Sequence, residues 1–270
     1  MRTTWRNIIP HIVLSVFSLA ILLPLIWVVR VSLTDKLTAY KIPPEIGHIG
    51  IENYIEIFST YPFERWFFNS LIVALVSTAI ALPLATAMAY AFARFNTGGA
   101  FLRLGVLASQ MLPPIILVLP LFTLFFSTGL MQTRMGLILA HLTISLPFLA
   151  WMLVSFFEGD SASLEEAARI DGATRWQAFI KIAVPVAAPG ILAAGLLGFI
   201  LSWNEFLFAL VLSGADSQTL PIGLASMETH AGVEIAPLAA ATVVSLLPVF
   251  ALLPFLRKYL IKGLSLGALK

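Results

Sequence analysis

The chain has 270 residues, of which 59% are hydrophobic and only 11% charged. Soluble domains carry about 25% charged residues, so a water-soluble globule is excluded. The net charge of +2 is too small to imply a nucleic-acid partner, and the absence of cysteine removes disulfides and any reading of the redox compartment.

Six apolar stretches, roughly 11–29, 67–93, 101–128, 136–157, 191–213 and 238–256, stand out along the chain. Each can cross a hydrocarbon core about 30 Å thick at about 1.5 Å per helical residue. The expected fold class is an all-α integral membrane protein with six transmembrane helices in one domain spanning 1–270. The first stretch follows Arg2 and Arg6 as a signal peptide would. Its apolar run is too long for one and no small-x-small cleavage site follows, so it reads as a retained helix.

Basic residues set the expected orientation. With the N-terminus inside, the inner segments hold Arg2, Arg6, Arg94, Arg103, Arg169, Arg175, Lys181, Arg257, Lys258, Lys262 and Lys270. The outer segments hold only Arg30, Lys36, Lys41, Arg65 and Arg134. This bias puts both termini in the cytoplasm. It also makes 158–190 an inner loop, and 34–66 and 214–237 outer loops.

Prolines punctuate the spans: Pro24, Pro83, Pro113, Pro114, Pro120, Pro147 and Pro248. Each removes a backbone donor, and together they suggest helices that bend around a cavity. His141, in the fourth span, reads as a hydrogen-bonded structural histidine. The inner loop carries Ser163 and Glu166 in capping-box spacing. "LEEAARID" then gives about two helical turns, and Gly172 permits a left-handed helix end. A second helical stretch, "ATRWQAFIKIA", puts Trp176, Phe179 and Ile180 on one face, with Pro185 and Pro189 expected to stop it. A two-turn helix is marginal alone in water. It needs a docking partner, and Ala167, Ala168 and Gly172 allow one to approach closely.

The fifth span contains "SWNEFLFALV", with Glu205 roughly 4–5 Å past its midpoint at helical rise. An acid at that depth costs about 2.5–3.5 kcal/mol unless protonated, paired or wetted. Trp203, Asn204 and Glu205 are therefore either a pathway or gating cluster, or a polar clasp between helices or between two subunits.

The loop resembles the EAA motif of the membrane subunits of bacterial ABC importers, whose pattern is Glu-Ala-Ala, three residues, Gly, nine residues, Ile, one residue, Leu-Pro. Here Glu166-Ala167-Ala168 is followed by Gly172, Ile182 and Val184-Pro185, with Val184 in place of Leu the one departure. "IDGATRWQAF", "NSLIVALVST" from Asn69, "AYAFARF" from Ala89 and "WNEF" resemble the carbohydrate branch. The likeness is to the smaller permease of the maltose and glycerol-phosphate importers. The resemblance implies a helix-turn-helix coupling loop between helices four and five that seats in a groove on an ATPase. Glu165, Glu166, Ala167, Ala168, Asp171 and Gly172 would be its coupling residues. It also implies a second permease subunit in a heterodimer, two ATPase subunits that hold the ATP and magnesium, and an extracytoplasmic sugar-binding protein reached by 214–237. The site would be the bacterial inner membrane.

No G-x-x-x-x-G-K-[ST] loop occurs in the chain, so ATP hydrolysis is expected on other polypeptides. No metal or catalytic pattern appears either, so this chain is expected to bind no cofactor or metal and to catalyse nothing. Two rivals remain at this level. One is a secondary transporter driven by an ion gradient through Glu205, although no internal repeat of the kind such proteins show is evident. The other is a membrane-embedded enzyme, for which no catalytic constellation exists.

Overall fold

A computed structural model describes residues 2–41, 48–159, 161–229 and 232–267. Parts of the expected loops 34–66, 158–190 and 214–237, and Lys270, lie outside the described residues. In chain order the elements are α1 (Arg2–Ser32), α2 (Lys36–Ala39), α3 (Glu52–Thr60), α4 (Phe63–Phe95), α5 (Gly99–Met111), α6 (Ile115–Thr128) and α7 (Arg134–Phe157). They continue with α8 (Ser161–Ile170), α9 (Arg175–Ala178), a π-helical turn (Phe179–Ala183), α10 (Val184–Trp203), α11 (Leu207–Leu212) and α12 (Leu220–Ser226). The strands β1 (Glu228–Thr229) and β2 (Gly232–Val233) form an antiparallel pair before α13 (Ile235–Gly267).

Five stretches are long and apolar enough to cross a membrane: Pro10–Ser32, Phe63–Phe95, Arg134–Phe157, Arg175–Trp203 and Ile235–Leu252. The pair α5 and α6 makes a sixth if counted as one span, although it is bent by 96°. Pro113 and Pro114 sit at that bend, whereas Pro24, Pro83, Pro120, Pro147 and Pro248 lie inside unbroken helices. One adjacent pair, rather than the whole set, breaks a helix.

The fifth span differs from its expected bounds of 191–213. Its helix runs through Pro185 and Pro189 and stops at Trp203. Pro185 has no N–H to give, and the π-helical turn just before it absorbs the mismatch. There, the Val184 N–H bonds back to Phe179 O, five residues earlier. Ser163 lies inside α8, which starts at Ser161, so it is not the N-cap that its spacing suggested.

The chain forms two compact units, one from the chain up to Glu64 with Gly223–Leu247, the other from Arg65–Ile222 with the chain from Pro248 on. In the first, the buried Asn53 donates through Nδ2 to Ser32 O and Thr34 O, both at 2.9 Å. The first of these bonds serves a carbonyl that the end of α1 leaves unpaired, and the second ties the segment that follows it. Lys36 Nζ reaches Glu56 Oε1 at 2.5 Å and Glu234 Oε2 at 3.1 Å. Tyr61 also donates to Glu234, and Tyr40 to Val233 O.

In the second unit, Ala81, Ala85 and Ala89 make a ladder of small residues along α4. They share a buried cluster with Leu149, Leu153 and Phe157 of α7, with Phe179, and with Ala187 and Ala194 of α10. Small side chains let helix backbones approach closely where lipid offers no hydrophobic drive. A second cluster joins Val118 and Phe125 of α6, Leu137 and Ile138 of α7, and Phe208 and Leu212 of α11.

Candidate functional site: the loop after the fourth span and the break after the fifth

Helix α8 ends with the bond pattern its sequence calls for. Gly172 is left-handed at φ +92°, and the Ala173 N–H reaches back to Ala168 O at 2.9 Å. This six-to-one bond satisfies a carbonyl at the helix end and needs a residue free of Cβ strain at the turn. Helix α9 starts on a reciprocal capping box: Thr174 Oγ1 accepts from Gln177 N, and Gln177 Oε1 accepts from Thr174 N. Its sequence signal is T-R-W-Q, the same three-residue spacing that Ser163 and Glu166 share without forming a cap.

The expected coupling residues divide by exposure. Glu166, Ala167, Asp171 and Gly172 are exposed and Ala168 is half-buried. Glu165 is 5% exposed and faces its own chain. Tyr90 donates its hydroxyl to Glu165 Oε2 at 2.8 Å, while Arg94 donates Nε and Nη2 to Oε1 at 3.0 and 2.9 Å. On the second helical stretch, Phe179 is buried, while Trp176 and Ile180 remain exposed.

The structure does not bring Trp203, Asn204 and Glu205 together as one cluster. Trp203 is 4% exposed, with its ring against Phe67 at 5.6 Å and Phe199 at 5.7 Å. Asn204 is exposed and donates to Ile200 O at the end of α10. Glu205 stands in the break and caps α11, accepting from Phe208 N at 2.8 Å and Ala209 N at 3.1 Å. A carboxylate serves there because the first amides of a helix are unpaired and the helix dipole favours negative charge.

His141 Nε2 lies 3.3 Å from Glu205 Oε2, out of hydrogen-bond alignment. Its Nδ1 is 2.6 Å from Ser202 Oγ, which lies 3.0 Å from Ser77 Oγ. A buried polar line thus runs from α4 through the end of α10 to α7 and the break. His141 is hydrogen-bonded, as its isolation in an apolar span suggested. Among the described residues no group of acids and histidines is placed to hold a metal ion.

A family model described as "Binding-protein-dependent transport system inner membrane component" matches residues 81–266. The sulfoquinovosyl glycerol transport system permease protein SmoH of Agrobacterium fabrum is 37% identical over 253 residues, covering 92% of this chain and 89% of that protein. The trehalose transport system permease protein SugB of Mycobacterium tuberculosis is 36% identical over 255 residues, covering 92% of each. A crystal structure of a bacterial ABC transporter involved in the import of the acidic polysaccharide alginate contains a chain of the same fold. Its TM-score is 0.73 at 22% identity, over 95% of this chain and 96% of that one.

Proposed function

The chain belongs to the family of binding-protein-dependent transport system inner membrane components, and from that premise we propose that it is the permease subunit of an ATP-driven importer for a carbohydrate. The carbohydrate class rests on relatives named for sulfoquinovosyl glycerol and trehalose transport. An oligosaccharide, a polyol or glycerol phosphate would fit that class. The chain is a multi-pass inner-membrane protein, and the proposed orientation has both termini in the cytoplasm.

One observation carries the mechanism. Helix α8 is held to its own chain by the buried Glu165, while Glu166, Ala167, Asp171 and Gly172 remain exposed. The exposed side is proposed to seat in a groove on a separate ATPase subunit that holds the ATP and magnesium. The working complex would contain a second permease, two ATPase subunits and an extracytoplasmic binding protein that meets 214–237. ATP-driven closure of the ATPases would draw the coupling helices together and turn the spans from inward- to outward-facing. Such a switch requires contacts whose free energy differs between the two states.

The break at Asn204–Phe206 is proposed as the bending point of the pathway, with Asn204 presented to it and Trp203 anchoring the end of α10. The ion-driven reading loses its motivation here. The Glu205 carboxylate is engaged by two amides of its own chain and faces His141.

A photocrosslinker placed at Ala168 in the full complex tests the coupling proposal. Adducts to the ATPase are expected; adducts to lipid alone would overturn it.

A further inference from the structure

Glu165 and Glu166 are neighbours with opposite surroundings, one buried against its own chain and one exposed. The partners of Glu165 lie far away in sequence and close together on one helix. Tyr90 and Arg94 are one turn apart on the last part of α4, so both face the same side. Between them they engage both carboxylate oxygens with three donors. Tyr90 is itself wedged in an aromatic nest, with ring centroids 4.6 Å from Phe179, 5.7 Å from Phe157 and 5.7 Å from Phe95. One side chain of α8 is thereby tied to α4, to the end of α7 and to the π-helical turn that leads into α10.

We propose that the Tyr90–Arg94–Glu165 clasp is the link that transmits movement of the coupling helix into the membrane spans, with Glu165 a positioning residue and not an ATPase contact. The inference rests on the coupling role proposed above for α8. The physical ground is the cost of parting a largely buried pair: if α8 shifted while α4 stayed, the Glu165 carboxylate would lose all three of its side-chain donors, and the Arg94 guanidinium its partner. Both ends of the clasp therefore move together. Arg169 and Arg175 line the same small cavity, so Glu165→Arg alone would gather four guanidinium groups there.

The test uses the full complex with its own binding protein, and reads ATP hydrolysis with and without that protein. Glu165→Gln and Arg94→Gln are expected to co-purify with the ATPases in the normal ratio and to keep basal hydrolysis. Stimulation of hydrolysis by the binding protein should fall about tenfold, inside the roughly 5–150-fold span typical of coupling between sites. Tyr90→Phe should show a smaller loss. The exchange of Glu165→Arg with Arg94→Glu should recover most of the stimulation.

Normal stimulation in Glu165→Gln overturns the clasp. Loss of the ATPases from that variant also overturns it, since Glu165 would then act in assembly. Failure of the coupling reading shows separately, as a wild-type chain whose Ala168 crosslinks never reach an ATPase.

Discussion

Gly172 offers a way to separate a backbone requirement from a partner requirement. Its φ of +92° is open to glycine and strained for other residues, yet a Cβ added there would meet nothing within 4 Å. Within the chain, then, a substitution costs only backbone strain. That is about 1–2 kcal/mol for an ordinary L residue and less for Asn or Asp, which visit this region most readily. A strain of that size in an exposed turn leaves the membrane fold intact. In a close-fitting ATPase groove the costs rank differently. A buried polar amide without a partner costs about 1–3 kcal/mol, and an unpaired buried charge about 3–5 kcal/mol.

Since about 1.4 kcal/mol is tenfold in affinity, Gly172→Asn should weaken ATPase retention by roughly tenfold to a hundredfold. Gly172→Asp, isosteric but charged, should weaken it a further tenfold or more, with equal insertion and equal thermal midpoint of the free permease. The assay is titration of the ATPase subunit onto each purified variant, beside a melting curve of the permease alone. If Asn and Asp lose the ATPase equally and the free permease melts earlier by a matching amount, the glycine acts through its backbone alone and the groove argument fails. If Gly172→Asp keeps wild-type affinity, this turn does not meet the ATPase at all.

Glu205→Ala should lower the thermal midpoint of the purified complex by more than Glu205→Gln. Alanine leaves the amides of Phe208 and Ala209 without their acceptor, an N-cap loss of about 0.5–2 kcal/mol. Adding His141→Leu to Glu205→Ala should cost less than the two single effects summed, and strict additivity would show that His141 and Glu205 do not interact. A third expectation concerns alkaline pH in the cluster of Lys36, Glu56, Tyr61 and Glu234. The bond to Glu56, and then that to Glu234, hold the Lys36 ammonium above its ordinary value of 10.5. Burial, together with Glu234, raises the Tyr61 phenol above 10.0. Both groups release their proton later when folded, so the stability they confer is present below about pH 10 and drains away as pH rises through the raised values. The midpoint difference between wild type and Lys36→Met should therefore hold steady from pH 7 to 9 and narrow above about 10; parallel curves throughout would refute it.

The parts of this molecule that could be read in advance are those whose physics is local. Long apolar runs can only be helices in a bilayer, because every backbone group must be paired within the segment; the spans were therefore legible, apart from their ends. Gly172 was legible because a positive φ at a helix end selects glycine whatever lies beyond it. Proline was ambiguous for a related reason. Its missing donor is a local fact, but whether a helix breaks depends on what takes the freed carbonyl. Pro113 and Pro114 stand together and the helix bends there; before Pro185 a single wider turn absorbs the defect.

The pairings that give the site its character were not local, and there the residues alone were silent. The partners of Glu165 lie 75 and 71 positions away, and only the packing of α4 against the loop brings them to it. Glu205 looked like an expensive acid in mid-span because the reading assumed an unbroken helix around it. The break at Asn204–Phe206 changes its surroundings, since two free amides and His141 lie within reach. The same reasoning runs in reverse for Glu165 and Glu166. Side by side in sequence, they are separated by the one property that decides what each can touch. A buried, triply bonded carboxylate can only steady its own chain, while its exposed neighbour is free to meet another. The acid just before the Glu-Ala-Ala pattern therefore steadies its own chain, and the acid inside it is the one proposed to present a face to the ATPase.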